Sequence, residues 1–260
     1  MKNEYNLNKV KLQNSNLHNP ILLDCESVAK AIDKIADGTT SGHDSICIEH
    51  FKLAHPCVPF IFTFILNIFI SIGELPRDFG LGIVSPIPKF KGNKRSVSAD
   101  DFRSITLNVI PSKIFEHCAL PFLHNLSSSH RQFGFKKGLS CLNAISIVRK
   151  IIQFFNKRGG TISMALVDVK KAFDKANIWG ILLLLQNKAI NPDLITVLEH
   201  WFTTSSARAK WNNVLSEPVS LLSGVRQGGI LSPLLFSAYI DVVLDDLEKT
   251  SCGCFINKLV

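Results

Sequence analysis

Residues 57–73 (CVPFIFTFILNIFISIG) carry no charged side chain, and no other stretch limits the possible folds of this chain as sharply. A run of this length approaches the lower limit for a membrane-spanning helix, about 17 residues, and equally suits a helix enclosed in a protein core. Pro59 near its start, Asn67 in its middle and the lack of a basic flank beside either end argue against a span. Hydropathy alone leaves both readings open. In either case Gly73 and Pro76 end the helix.

The remainder can build a core around such a helix. Its 260 residues are 46% hydrophobic and 19% charged, which excludes a disordered chain. Lys and Arg number 29 against 21 Asp and Glu, a net charge of +8. That balance suits a polyanionic partner such as nucleic acid, although scattered lysines produce it as well. Seven cysteines, at 25, 47, 57, 118, 141, 252 and 254, match no zinc module. Among apolar neighbours they read as small hydrophobes, with Cys252 and Cys254 as a reduced structural pair, which implies an intracellular setting. The polar, asparagine-rich opening, residues 1–19, is not a signal peptide.

Residues 1–23 read as a flexible lead. Asp24 is placed to cap a helix with Val28, Ile32 and Ile35 on its apolar side, closed by Gly38. After the turn at 39–44 (TTSGHD) and the apolar helix, residues 82–89 (GIVSPIPK) read as a strand whose prolines demand an edge or an end. A basic hairpin tip follows at 89–95 (KFKGNKR), then a second short strand over 103–107. Pro111 starts a helix bearing Ile114, Phe115, Cys118 and Phe122. Leu142, Ile145, Val148, Ile152 and Phe155 mark another helix, stopped by Gly159 and Gly160. Residues 161–168 (TISMALVD), apolar on both faces, suit a central strand. Further helices are expected over 176–189, 192–203 and 232–249, the last with Ser232 as cap and Pro233 in its first turn. Short strands fall near 207–212 and 219–222. Helices and strands without a regular alternation indicate α+β.

Two segments carry chemistry. Asp168 ends the expected strand, where a lone carboxylate is costly to bury and something cationic must meet it. A divalent metal is one answer; capping of the next helix, or pairing with Lys170 or Lys171, is the other. The second segment, 224–233 (GVRQGGILSP), combines three glycines with Arg226 and Gln227 ahead of a helix start. A tight turn explains the glycines but does not demand both the arginine and the amide.

DVKKAFD (168–174) and GVRQGGILSPLLFSAYID (224–241) resemble motifs A and B of reverse transcriptases from non-long-terminal-repeat retrotransposons. The resemblance extends upstream in family order. SGHDSI resembles S-P-G-P-D-G-I, and LPRDFGLGIVSPIPKFKG resembles P-x-x-W-K-x-x-x-V-x-P-I-P-K-x-G. DFRSITL resembles D-Y-R-P-I-S-L, and RQFGFKKGLSCLNAI resembles Q-x-G-F-R-x-G-x-S-x-x-x-A-I. The apolar run fits the family helix L-x-x-L-F-N-x-x-L-x-x-G-x-x-P through Asn67, Gly73 and Pro76, which implies a helix buried by the fold around it and no membrane contact.

The resemblance implies a right-hand polymerase: N-terminal helices and fingers over 24–160 and part of a palm over 161–260. Asp168 would bind two catalytic magnesium ions (Mg2+), helped by the Val169 carbonyl. Lys89 and Arg103 would hold the triphosphate of a dNTP, Arg through its planar donor fork. Phe173 would sit against the sugar and exclude a 2′-hydroxyl, and Gln227 would lie near the incoming nucleotide and template. Asp174 would fix a turn or helix start. The implied partners are an RNA template and a DNA primer, and the implied location is nuclear or cytoplasmic. Ser104 stands where the family has proline, Phe79 near its tryptophan, and the SPGPD turn lacks its first proline. Residues 252–260 (CGCFINKLV) resemble the approach to the family's aromatic-Ala-Asp-Asp hairpin, so the expectation is a chain that stops before half of its metal site. Asp245 and Asp246 belong to a solvated helix face instead. The alternatives are a nucleic-acid-binding remnant without catalysis and a reverse transcriptase of the group II intron maturase lineage.

Overall fold

The computed structural model describes residues 1–14, 19–89, 98–126, 128–250 and 253. Helices α1 (Lys2–Asn14), α2 (Cys25–Lys34), α3 (Ile48–Lys52) and α4 (Val58–Ile72) come first. Strands β1 (Leu81–Pro88) and β2 (Phe102–Leu107) follow, then α5 (Ile110–Ala119), α6 (Cys141–Lys157), α7 (Ala172–Lys175), α8 (Ile178–Asn187) and α9 (Pro192–Thr204). Strands β3 (Ser206–Trp211), β4 (Val214–Leu215) and β5 (Val219–Ser220) lead into α10 (Ser232–Lys249).

The apolar run forms α4, and Gly73 closes it in the left-handed conformation at φ 78°. Its 15 residues extend about 22 Å, short of the roughly 30 Å of a bilayer core. No helix among the described residues is long and apolar enough to cross a membrane. The expectation of a helix enclosed on every side needs correction, however. Thr63, Leu66 and Ile70 face the core, whereas Phe60 and Phe64 are 67% and 64% exposed. Asn67, out of place in an apolar helix, pairs with a neighbouring backbone. Its side-chain amide accepts from Leu23 N–H at 2.8 Å and donates to Leu23 O at 2.9 Å. Both polar groups of an extended residue beside the core are thus satisfied, as a strand partner would satisfy them.

The sheet is mixed, in the order β2-β1-β3-β4, with β5 also on β3. β1 pairs antiparallel with β2, opposing Ile87 to Arg103, and parallel with β3, opposing Gly82 to Ala207. Helices α2, α4, α5, α8 and α9 enclose the core, where Phe115, Leu66, Leu182, Leu185 and Leu198 are almost fully buried. Trp201 ties α9 to α5 and to the segment leading into β1: its ring meets Phe115 edge-on at 5.8 Å, and its indole N–H donates to Phe79 O at 3.2 Å. The α+β reading therefore stands as a mixed helix-and-sheet fold.

Several expectations fail for identifiable reasons. Residues 161–168 form no strand; no described strand lies beside them to take their backbone hydrogen bonds, and Leu166 and Val167 are nearly 90% exposed. The opening is not a flexible lead throughout, since α1 buries Tyr5 completely, with its hydroxyl donating to Glu199 at 2.9 Å. The cysteines are not generally core residues: Cys118 is buried, but Cys25, Cys57 and Cys141 are exposed. Helix α6 forms with its apolar stripe intact, yet none of its residues is buried. Ser232 does not cap α10, whose N-cap is Leu231. The basic tip beyond Lys89 and the cysteines at 252 and 254 lie outside the described residues.

Candidate active site

Three segments distant in sequence meet beside the β2 edge of the sheet. The first is the β1–β2 hairpin. Lys89 N–H donates to Asp101 O at 2.9 Å, which carries the strand register one step further. With Ile87 opposite Arg103, alternation then places Lys89 and the exposed Arg103 on one face. Lys89 Nζ donates to Asp100 O at 2.6 Å.

The second segment follows Asp168. Asp168 is exposed. Neither alternative use of its carboxylate is realised: α7 has Lys171 at its N-cap, and Lys170 and Lys171 pair with Asp100 instead, at 3.3 and 2.7 Å. These two ammonium groups hold the Asp100 carboxyl down at about 2. Val169 is half exposed. Phe173 is fixed by aromatic neighbours, stacked on Phe236 at 4.8 Å and edge-on to Phe135 at 5.8 Å.

The third is the loop before α10, and it is stitched to the other two. Val225 N–H donates to Phe173 O and Gly224 N–H to Ala176 O, both at 2.8 Å. Ser223 Oγ donates to Asp174 O at 3.1 Å, and the Gln227 amide donates to the Asp174 carboxylate at 3.2 Å. Thr106 N–H on the outer side of β2 donates to Gln227 O at 2.7 Å, so the loop covers that strand edge. Glycines permit the approach. At Gly224, φ is 91° and a Cβ would fall 2.8 Å from the carbonyl oxygens of Phe173 and Asp174.

A cleft of about 450 Å³ opens here, lined by Ser104, Thr106, Asp174, Ser223 and Gln227 among others. Of the residues singled out from sequence, Asp174, Arg226 and Gln227 line it; Asp168, Val169, Lys89, Arg103 and Phe173 lie outside its wall. Asp174 caps no helix, lying inside α7, and its carboxylate instead accepts from Gln227.

Two residues in this region, Asp100 and Glu116, were not singled out, and a third, Arg226, was noted in its loop without a role. Asp100 gathers Lys89, Lys170 and Lys171, and nothing in its spacing announces that. Arg226 is visible in the loop, but its partners are not: it donates to Phe79 O at 3.3 Å, Asn108 Oδ1 at 3.2 Å, Ser205 Oγ at 2.8 Å and Gly80 O. Burial draws its pKa down to about 10. Glu116 had a signal, a lone carboxylate on the stripe of Ile114, Phe115 and Cys118. It is buried and accepts from Leu231 N–H at 2.7 Å. Burial pushes its pKa up to about 7, against the pull of the Leu231 N–H, Arg226, the Ile230 N–H and Lys113.

A family profile described as reverse transcriptase (RNA-dependent DNA polymerase) matches residues 87–258, and the chain belongs to that family. Its relatives are named for transposons. It is 26% identical over 222 residues to a probable RNA-directed DNA polymerase from transposon X-element of Drosophila melanogaster, covering 83% of this chain and 24% of the relative. It is 24% identical over 245 residues to an uncharacterized 149 kDa protein of transposon TX1 of Xenopus laevis, covering 93% and 18%. It is 27% identical over 189 residues to the Pol polyprotein of the type-2 retrotransposable element R2DM of D. melanogaster, covering 71% and 17%. The chain thus spans about a quarter or less of the length of these curated relatives.

Reverse transcriptases use divalent metal ions. Among the described residues no three His, Cys, Asp or Glu side chains converge to hold one. Asp168 is a single exposed carboxylate with lysines two and three positions on, so the described residues do not complete a metal site.

Proposed function

We propose that this chain carries the nucleotide-engaging part of an RNA-directed DNA polymerase, with fingers over 24–160 and part of the palm over 161–260. The observation that carries the reading is the Gln227–Asp174 hydrogen bond, which unites motifs 53 positions apart at the mouth of one cleft. The reaction is attack of a DNA primer 3′-hydroxyl on the α-phosphorus of a dNTP opposite an RNA template, with pyrophosphate leaving. Lys89 and Arg103 are assigned the triphosphate by likeness to the family motifs; they share one face of the hairpin, opposite to that of Ser104 and Thr106, which line the cleft. Gln227 meets the nucleotide and template from the loop. Phe173, fixed against Phe236, supplies the rigid wall that a 2′-hydroxyl would strike. Asp168 and the Val169 carbonyl would be this chain's contribution to a divalent-metal site, which needs a second acidic group to hold the ions that stabilise the attacking and leaving oxygens.

The test is equilibrium binding of a dNTP to the chain on an RNA–DNA primer–template. Gln227→Ala and Lys89→Ala should each weaken it roughly tenfold, the order of a lost charge-assisted or site hydrogen bond. Unchanged dNTP affinity in both variants would remove the assignment.

One observation favours a second reading, a module that grips nucleic acid without catalysis: the described residues do not complete a metal site. Duplex binding that survives with no response to dNTP selects it.

A further inference from the structure

Arginine in a loop beside a nucleic-acid site invites assignment as a phosphate contact. Arg226 is not available for that. Its guanidinium is spent on four acceptors inside the protein, contributed by the segment before β1, the end of β2 and the start of β3, and it lies 5.5 Å over the Trp201 ring. At the other end of the same loop, Glu116 reaches across from α5 and takes the Leu231 N–H, one of the donors that a helix start leaves unpaired. Gly229 makes room for it, since a Cβ there would lie 3.3 Å from Glu116 Oε2 and 2.6 Å from Ser232 Oγ. Between the anchors stand Gln227 and Gly228, whose own ties are one backbone bond to Thr106 and one side-chain bond to Asp174.

We propose that Glu116 and Arg226 are positioning residues, a buried carboxylate and a largely buried guanidinium that fix the two ends of the 225–231 loop and thereby set where Gln227 stands in the cleft. The proposal rests on the reading of Gln227 as a nucleotide contact, and it makes a claim independent of that reading: the loop's seat on β2 depends on both anchors. A carboxylate removed from water is expensive, and a helix start can be capped more cheaply by a serine at the N-cap. A carboxylate from another helix does what a local cap cannot, because it ties the loop's exit to α5 and hence to the core.

The experiment uses the full 260-residue chain and two readouts. Amide hydrogen exchange at Thr106 reports the loop's seat, and thymidine triphosphate affinity on an RNA–DNA primer–template reports Gln227. Glu116→Met removes the oxygens that accept the Leu231 N–H and keeps bulk, and Arg226→Met removes the guanidinium donors and keeps bulk. Each should speed exchange at Thr106 relative to amides of the β1–β2 ladder such as Ile105, and each should weaken triphosphate binding roughly tenfold, as losing support for a site residue does. In a Gln227→Ala background the same substitutions should cost no further affinity, because they act through Gln227. Full additivity in that background, or wild-type exchange at Thr106 in both variants, overturns the proposal. If Gln227→Ala leaves triphosphate binding intact, the nucleotide reading of Gln227 fails, and Thr106 exchange alone then decides whether the anchors seat the loop. Arg226→Lys should restore part of the protection at Thr106; a merely unfolded Arg226→Met would show fast exchange at every core amide.

Discussion

Replacing Gly228 by alanine tests the seat of the loop on β2 directly. Gly228 has φ 112°, and an added Cβ would fall 2.7 Å from Thr106 O and 3.8 Å from Ile105 Cγ2. Two costs add. Holding an L-residue at positive φ costs about 1–2 kcal/mol. Relieving the clash with a backbone oxygen lifts the loop and stretches the Thr106–Gln227 bond, worth about 1 kcal/mol. The expected loss of stability is therefore about 2–3 kcal/mol. Two other glycines separate the components. Gly138 also has positive φ, 79°, but nothing lies within 4 Å of a Cβ there, so alanine should cost the backbone term alone. Gly134 meets nothing within 4 Å and has no positive φ, so alanine should be neutral or slightly stabilising. Equilibrium urea unfolding, comparing midpoints at constant slope, measures all three. If Gly228→Ala proves no more destabilising than Gly138→Ala, the loop does not lie against β2 and the cleft is not built as described.

Other consequences are open to measurement. Glu116 has a folded pKa of about 7 against 4.5 for a free glutamate, so the folded state binds the extra proton between those values. Stability from this group is greatest below pH 4.5 and falls as pH rises to about 7, by about 3 kcal/mol; Arg226 and Lys113 are the charged groups that temper it. The difference in unfolding free energy between wild type and Glu116→Gln should follow that curve, and a pH-independent difference would refute it. Lys89→Ala and Arg103→Ala should each lower the slope of log affinity against log salt for an RNA–DNA duplex by about 1, and unchanged slopes would mean neither meets a phosphate. If Asp168 is, as proposed, the one acid that the described residues bring to a site needing acids on both sides, residues 1–260 by themselves should bind duplex yet not extend a primer in gel-resolved assays; extension by them would contradict this.

How much of this was legible follows from where each constraint resides. Local signals were mostly reliable: Asp24 accepts from Ser27 N–H, Gly73 takes positive φ, and α10 runs over Ser232–Lys249 with Pro233 in its first turn, although Ser232 does not cap it. Strands β1 and β2 fall where 82–89 and 103–107 were read as strands, with the prolines of β1 at its end. What failed depends on distant partners. A strand is not a property of 161–168 alone, since it needs a neighbour for its ladder. Helix α1 has few apolar residues, and its place depends on Tyr5 finding Glu199 nearly two hundred positions away. Gln227 was legible as a site residue because its motif is local. Glu116 and Arg226 stand 110 positions apart, and only the fold brings them to one loop.

The central claim is that Asp168 acts at the chemical step. It is tested most directly by RNA-templated primer extension in a longer polypeptide, in which residues 1–260 run on into the aromatic-Ala-Asp-Asp hairpin and thumb of a related reverse transcriptase. Asp168→Asn changes the charge of one exposed side chain that supports no other group among the described residues. With magnesium present, that variant should bind the primer–template as tightly as the parent and extend it at least about a thousandfold more slowly, the scale expected for losing charge stabilisation at a phosphoryl-transfer centre. Extension by Asp168→Asn at the parent's rate would show that Asp168 takes no part in catalysis and that the polymerase reading of this site is wrong.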